Sequence, residues 1–394
     1  MAHNIFDHPY IDSSPVVVGN DLVIGTWNSG DYYGSTGSVK CFNAETGARK
    51  WTAVGSPLMG GVASTPCIYN NKVYIGAMSG YFYCLDLSDG SQVWAQPTTN
   101  RSTPAGQSKI IASAVVHNGI VYIGNEAGKI YAFDADTGTP ESGYPVMLQV
   151  ENHLAIQPPL LSTINMTGVS SPAVATVDNV DYLLFGCDDG YLYRLTLGAM
   201  NPQSTLAGVD LMFCVESSPT VVGNDVYVGI SIYGGNQTHR LSVEPFQKLA
   251  EASIDGYGEN CLRHELRATF ATDLKGHIYA GVDTGYTFHK VRTDTLTNAP
   301  HPYIPNDMEY FVGSAALCGN GLVYIGNDDG YFRALSAKDL SLVKEYQTFT
   351  NPNVRGFVCS SPAISYNVDP NHNRWVYVTT RNNGGRLLAF KTTR

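Results

Sequence analysis

Within the stretch ENCLRHELRATF, residues 259–270, stand Glu259, Arg263, His264, Glu265 and Arg267. Such density is unusual here, because Asp, Glu, Lys and Arg make up only 15% of the chain, against about 25% in ordinary globular proteins. A histidine exchanges protons near neutral pH, and an arginine presents a planar fork of donors to carboxylates. A histidine, a carboxylate and guanidinium groups so close together have the makings of acid–base chemistry on an anion. Mixed charges on a surface loop equally make a solvated ion-pair rim of small energetic worth. Both readings stay open until the stretch has a place in an architecture.

That architecture is a repeat. SSPVVVGNDLVIG (13–25) recurs as STPCIYNNKVYIG (64–76), ASAVVHNGIVYIG (112–124), SSPAVATVDNVDYLLFG (170–186) and SSPTVVGNDVYVG (217–229). TFATDLKGHIYAG (269–281), SAALCGNGLVYIG (314–326) and SSPAISYNVDPNHNRWVYVT (360–379) complete the set. The closing residues, Gly25, Gly76, Gly124, Gly186, Gly229, Gly281, Gly326 and Thr379, fall 43 to 62 residues apart, close to the ~40–50 of a propeller blade. Each unit reads as a Ser/Pro-led apolar run, a short turn, an alternating strand, a Gly turn and another alternating strand. Blades one and two add a fourth strand after AETGARKW and LSDGSQVW.

The expectation is an all-β, eight-bladed propeller of four-stranded antiparallel blades, forming one domain over 1–394. The blades run approximately 9–56, 57–104, 105–158, 159–206, 207–258, 259–304, 305–350 and 351–394, the last completed by 1–8. The eighth unit runs out at RLLAFKTTR after three strands. Residues 2–6, AHNIF, are therefore expected to pair as its outer strand, closing the ring and removing its exposed edges.

The units resemble the PQQ-like β-propeller repeat family, whose blades read SSP…VYIG…DG.LYALDA.TG…W, and the resemblance covers nearly the whole chain. It implies the fold and leaves activity open, since the family holds both quinoprotein dehydrogenases and a non-enzymatic lipoprotein of outer-membrane protein assembly. The dehydrogenases stack the quinone between a Trp and a disulfide of adjacent cysteines, with calcium held nearby. The eight cysteines here (41, 67, 84, 187, 214, 261, 318, 359) include no adjacent pair. No PQQ, no other cofactor and no metal site is therefore expected. The assembly lipoprotein carries a lipidated N-terminal cysteine, whereas the first cysteine here is Cys41.

In a propeller the first strand lines the channel, and the loop leading into it shares a face with the loop between the second and third strands. Three residues before the P of SSP, the aligned column reads Asp12, Ala63, Ile111, Val169, Glu216, Ala268, Gly313, Cys359. Asp12 and Glu216, in opposed blades one and five, are its two carboxylates. With His264 they are the catalytic candidates. Tyr10, Lys109, Phe213, Glu265, Arg267, Tyr310, Arg355 and Phe357 in the lead-in loops are expected to contact a ligand. The long loops 26–38 and 230–239 add Trp27, Tyr32, Tyr33 and Tyr233 as candidate walls of a pocket. The Asp pairs at 188–189 and 328–329 stand in DDGY turns, for which turn chemistry suffices.

The net charge of −10 and the lack of basic clusters argue against nucleic acid. No apolar run approaches the ~18 residues of a membrane span. Scattered cysteines inside strands suit a reducing compartment, so a cytoplasmic setting is favoured, with a periplasmic or secreted one if a leader has been trimmed. The reading of function is a small-molecule site at the channel mouth, with acid–base chemistry free of redox cofactors: isomerase, cyclase, lyase or hydrolase. The alternatives are a protein-interaction scaffold and, behind it, a PQQ-dependent dehydrogenase.

Overall fold

The computed structural model describes residues 3–8, 10–28, 36–54, 60–98, 109–148, 168–230, 237–253, 268–282, 286–300, 302–305, 311, 313–349, 357–358, 360–365, 374–381 and 385–392. Eight antiparallel sheets follow one another along the chain, seven of them four-stranded among these residues. Blade two shows the pattern, with strands Cys67–Tyr69, Lys72–Gly76, Tyr81–Asp86 and Gln92–Pro97 in sequential order. The last sheet is made from both ends of the chain. His3–His8 pairs with Gly385–Thr392, whose other neighbour is Arg374–Thr379. The ring therefore closes through the N-terminal strand, as its missing fourth strand requires.

Blade six departs from the expected four strands. Its sheet has three among the described residues, Ala271–Thr272, His277–Val282 and Thr287–Arg292. Isolated pairings of Phe288 with Tyr303 and Val291 with Asn298 stand in the outer position. Pro300 and Pro302 bring no N–H to a ladder, which keeps this edge irregular.

Three repeated contacts hold blade to blade, and each explains part of the motif. The closing glycines sit where the next blade comes closest: a Cβ on Gly76 would lie 2.1 Å from Ile110, and one on Gly326 2.1 Å from Val358. The second hydroxyl of SSP forms a collar around the channel. The Ser14 N–H donates to Thr65, Thr65 to Ser113, Ser113 to Ser171, Thr269 to Ser314 and Ser361 to Ser14, at 2.8–3.3 Å. On the far face, the tyrosine of VYIG reaches the next blade's outer turn. Tyr74 donates to the Ala135 carbonyl, Tyr227 to Thr293, Tyr279 to Ala337 and Tyr377 to Ala44, at 2.8–3.0 Å.

A fourth repeat lies near the mouth, at the third-strand residue that faces the preceding blade. Lys40, Tyr83, Tyr131, Tyr193, His239, His289 and Arg333 occupy it in blades one to seven, each opposite the residue before the closing glycine. All but Tyr131 are fully buried. This belt of buried polar groups is the frame on which the mouth loops rest.

Candidate functional site

At the seam between blades eight and one, the mouth is built by ion pairing and aromatic packing. The Asp12 carboxylate lies 3.0 Å from the Arg381 guanidinium. Burial raises the Asp12 pKa, and Arg381 and the Trp27 indole partly offset that rise. Trp27 is only 2% exposed, with the Tyr10 ring tilted against it at 38° and 4.9 Å between centroids. It is packing for the seam and does not wall an open pocket. Phe357 exchanges two backbone hydrogen bonds with Arg381, at 2.7 and 3.1 Å, fixing the arginine beside Asp12.

Blades three to five arrange charge differently. In blades two, three, five and eight the lead-in residue four before the P position donates its N–H to the preceding blade: Val62 to Thr26, Ile110 to Ala77, Val215 to Cys187 and Val358 to Asn327. The counterpart in blade four, Gly168, donates instead to Asp188 Oδ2 at 3.0 Å. A Cβ there would stand 2.6 Å from that oxygen, so a larger residue would push the Asp188 carboxylate out of this position. With glycine there, Asp188 is drawn into a partly buried position between Glu126 of blade three and Glu216 of blade five. Burial, then Glu216, then after the opposing Gly168 N–H, Glu126 and Asp189, push its pKa to about 7. Burial also raises Glu126, with the Lys109 ammonium opposing it. Lys109, 8% exposed, hands its carbonyl to the Glu126 N–H at 3.0 Å. The Cys214 thiol, 3.2 Å from the Asp188 carbonyl, is pushed to about 12 by burial and by Asp188 and Glu216. Phe213 packs against the apolar cluster between blades four and five.

A carboxylic acid that titrates near neutrality can donate and accept protons at working pH. Here that group is Asp188, which sequence reasoning read as turn chemistry alone. The signal was present but split: Asp188 belongs to a DDGY turn, and its burial comes from Gly168 and from carboxylates on two other blades. Arg381, too, was outside the expected set, because its role depends on ring closure.

The expected residues separate into groups. Asp12 and Glu216 are each engaged within their own sector, Asp12 with Arg381 and Glu216 with Asp188. Lys109 and Glu216 belong to the recess, whereas Tyr10, Trp27 and Phe357 belong to the seam. His264, Glu265, Arg267, Tyr310 and Arg355 lie outside the described residues, as do Tyr32, Tyr33 and Tyr233. The register of blades six and seven needs correction by one residue. The collar bond from Thr269 to Ser314 makes Thr269 the counterpart of Ser14, and Ala268 that of Ser13. Ala268 and Gly313 therefore stand one residue beyond the expected column position, at the place of Ser13. The slip arose because neither blade has an SSP to fix the phase.

Residues 10–158 match the family model for outer membrane protein assembly factor BamB. No curated protein matches the chain. Among solved structures, BamB from Moraxella catarrhalis is similar over 100% of this chain and 99% of its own, with 14% identity and a TM-score of 0.65. The computationally designed Ika8 protein is similar over 98% of this chain and 99% of its own, at 14% identity and a TM-score of 0.64. Quinohemoprotein alcohol dehydrogenase from Comamonas testosteroni covers 100% of this chain with 76% of its own, at 14% identity and a TM-score of 0.67. The chain is thus an eight-bladed propeller alike in fold to these structures, and its residues 10–158 are similar to the BamB family model. Identities this low establish shared fold and leave activity to the site.

A quinone stacked on adjacent cysteines has no counterpart in these residues. The sequence has no such pair, and Cys41, Cys84, Cys187 and Cys318 are free and buried in or beside strands. The donor set does not fit PQQ as the dehydrogenases hold it. No helix among the described residues is long and apolar enough to cross a membrane.

Proposed function

We propose that the protein is a ligand-binding propeller whose recognition centre is the mixed-charge recess over blades three to five, taking the cationic group of a small ligand. The observation that carries this reading is the convergence of Glu126, Asp188 and Glu216 from three successive blades, with Lys109 beside them. Carboxylates so placed resist ionising together, so one proton stays on the trio near neutral pH. An arriving cation stabilises the fully ionised form and displaces that proton. Where a bound substrate reacts, Asp188 is the group placed to move a proton, which shifts the acid–base role from Asp12 and His264 to blade four.

The test is calorimetric titration with a panel of mono- and diamines, such as 1,4-diaminobutane, at pH 6 and pH 8. Binding should tighten at the higher pH and release up to one proton. Asp188→Asn or Glu216→Gln should weaken it at least ~10-fold, as expected when a buried charge partner is lost. Absence of binding across the panel, or indifference to both substitutions, contradicts the proposal. A second reading, a scaffold for protein assembly, is favoured by the end-to-end similarity to the Moraxella BamB. On that reading the same substitutions leave partner binding unchanged.

A further inference from the structure

On the face away from the mouth, the junction of blades three and four lacks a contact that four other junctions make, as does that of blades seven and eight, where the Tyr324 hydroxyl has no partner among the described residues. The VYIG tyrosines of blades two, five, six and eight each donate to a carbonyl of the following blade's outer turn. In blade three the same residue, Tyr122, has no hydrogen-bond partner for its hydroxyl among the described residues, although the side chain is only 3% exposed. The cause lies in blade four. Where blades two and three close with the short turns LSDG and ADTG, blade four runs through LGAMNP into a 3-10 turn, Pro202–Thr205, before its outer strand. The longer path leaves a groove of about 410 Å³ between the blades, lined by Ile120, Tyr122, Glu141, Tyr144, Met200 and Pro202 among others.

The lining has a definite chemistry. The Tyr122 and Tyr144 rings lie 6.1 Å apart at 60°, forming two walls. Glu141 supplies a carboxylate, and Asp181 lies close enough to act with it on Tyr122. Burial and these two carboxylates push the Tyr122 hydroxyl to about 12, and Tyr144 is raised as well, so both phenols stay neutral. No Lys or Arg lines the groove. Ser142 adds a hydroxyl, and Ile120, Pro202 and Met200, which is 99% exposed on the rim, supply apolar surface.

The same face shows what such a set of groups takes. At the next junction, between blades four and five, the chain supplies its own cation. Arg194 lies over the rings of Tyr182, at 4.6 Å, and Phe246, at 5.3 Å, and pairs with the Glu244 carboxylate. Within blade eight, Lys391 stands 6.0 Å from the ring of its cross-strand neighbour Trp375. Aromatic faces attract cations through their quadrupole, most strongly where water is displaced. The aromatic-lined junction of blades four and five is filled by a cation of the chain, and the junction of blades three and four is not.

We propose that this groove binds a single organic cation, an alkylammonium or guanidinium group, held between Tyr122 and Tyr144 and paired with Glu141. The site is separate from the mouth and does not rest on the function proposed for it. The ammonium donates to the Glu141 carboxylate and to the phenol oxygens, while its alkyl chain lies along Met200 and Pro202.

Methyl-labelled methionine NMR tests this directly, because Met200 and the half-exposed Met147 flank the groove. Titration with n-butylammonium and with N-acetyl-arginine amide should shift the Met200 methyl saturably, with dissociation constants of about a millimolar for so small a contact. N-acetyl-norleucine amide, neutral and of similar shape, should bind at least ~10-fold more weakly. Glu141→Gln should weaken the cations by ~10-fold and Tyr122→Phe by a few-fold. Asp188→Asn should change nothing, which separates this site from the mouth. Equal shifts with the norleucine amide, unaltered titration of Glu141→Gln, or no saturable shift overturns the proposal. Tighter binding by a short Lys- or Arg-containing peptide than by its capped residue identifies a polypeptide source; equal binding identifies a free small cation.

Discussion

Blades four and seven carry the same turn, Asp-Asp-Gly-Tyr, at 188–191 and 328–331, with opposite electrostatic results. In each, the second aspartate accepts the tyrosine N–H, Asp189 from Tyr191 at 3.0 Å and Asp329 from Tyr331 at 2.8 Å. The difference lies at the belt position. Blade seven has Arg333, which forms a buried ion pair with Asp329 and also holds Asn327 at 2.7 Å and Glu345 at 2.8 Å. Blade four has Tyr193, whose hydroxyl meets Asp189 at 2.6 Å but brings no charge. Asp189 adds its negative charge to that of Glu216 and Glu126 around Asp188. A proton-holding site is made by withholding a cation from a frame that supplies one elsewhere.

The comparison breaks most visibly in blade seven. Arg333→Met leaves Asp329, which is 0% exposed, as an uncompensated buried charge. Removing one partner of a buried pair costs about 3–5 kcal/mol, to be read as a lowered urea midpoint at unchanged slope. A loss below ~1 kcal/mol would mean that Asp329 is not held as a charge by Arg333.

Blade five sharpens it with a third occupant of the belt. Among the described residues neither ring nitrogen of His239 has a hydrogen-bond partner. Glu251, at 3.7 Å, and Lys248, which Glu251 also holds, are the charged groups acting on it. Burial lowers the His239 pKa from 6.5 to about 4. The folded state therefore refuses a proton that the unfolded chain accepts between those values, and stability falls as pH drops from 6.5 towards 4. The loss amounts to at most roughly 3 kcal/mol at the lower end. In His239→Gln, stability measured by denaturant should lose much of this acid slope. An unchanged slope would assign it elsewhere. Asp188 acts with the opposite sign: its raised pKa adds stability at acid pH that is lost as pH rises through about 7.

The repeat made the blades, their strand order and the ring closure legible, because Ser-Ser-Pro, VYIG and the closing glycine each serve one inter-blade contact. Blades six and seven, which have no Ser-Ser-Pro and whose runs from the Ser13 position to the closing glycine are one residue longer, slipped by one residue. The site was half legible. Glu216 stood out as a charge in a column of small residues and Lys109 in the loop leading into blade three, and their charges act on Asp188 and Glu126 respectively. Asp188 and Glu126 did not stand out, since a carboxylate in a DG-type turn looks the same whether a belt arginine neutralises it or three other carboxylates surround it. Their grouping depends on neighbours in other blades. Trp27 misled because an aromatic beside a long loop reads as a pocket wall, whereas packing against Tyr10 and the approach of Asp12 bury it.

The measurement that bears most directly on this account is the titration of the Asp188 carboxyl, followed by carbon-13 NMR in the intact protein. The account predicts a midpoint near 7, moving clearly downward in Glu216→Gln because a neighbouring charge is removed. A midpoint in the ordinary aspartate range near 4, unmoved by that substitution, would show that the carboxylates of blades three to five do not act as one site.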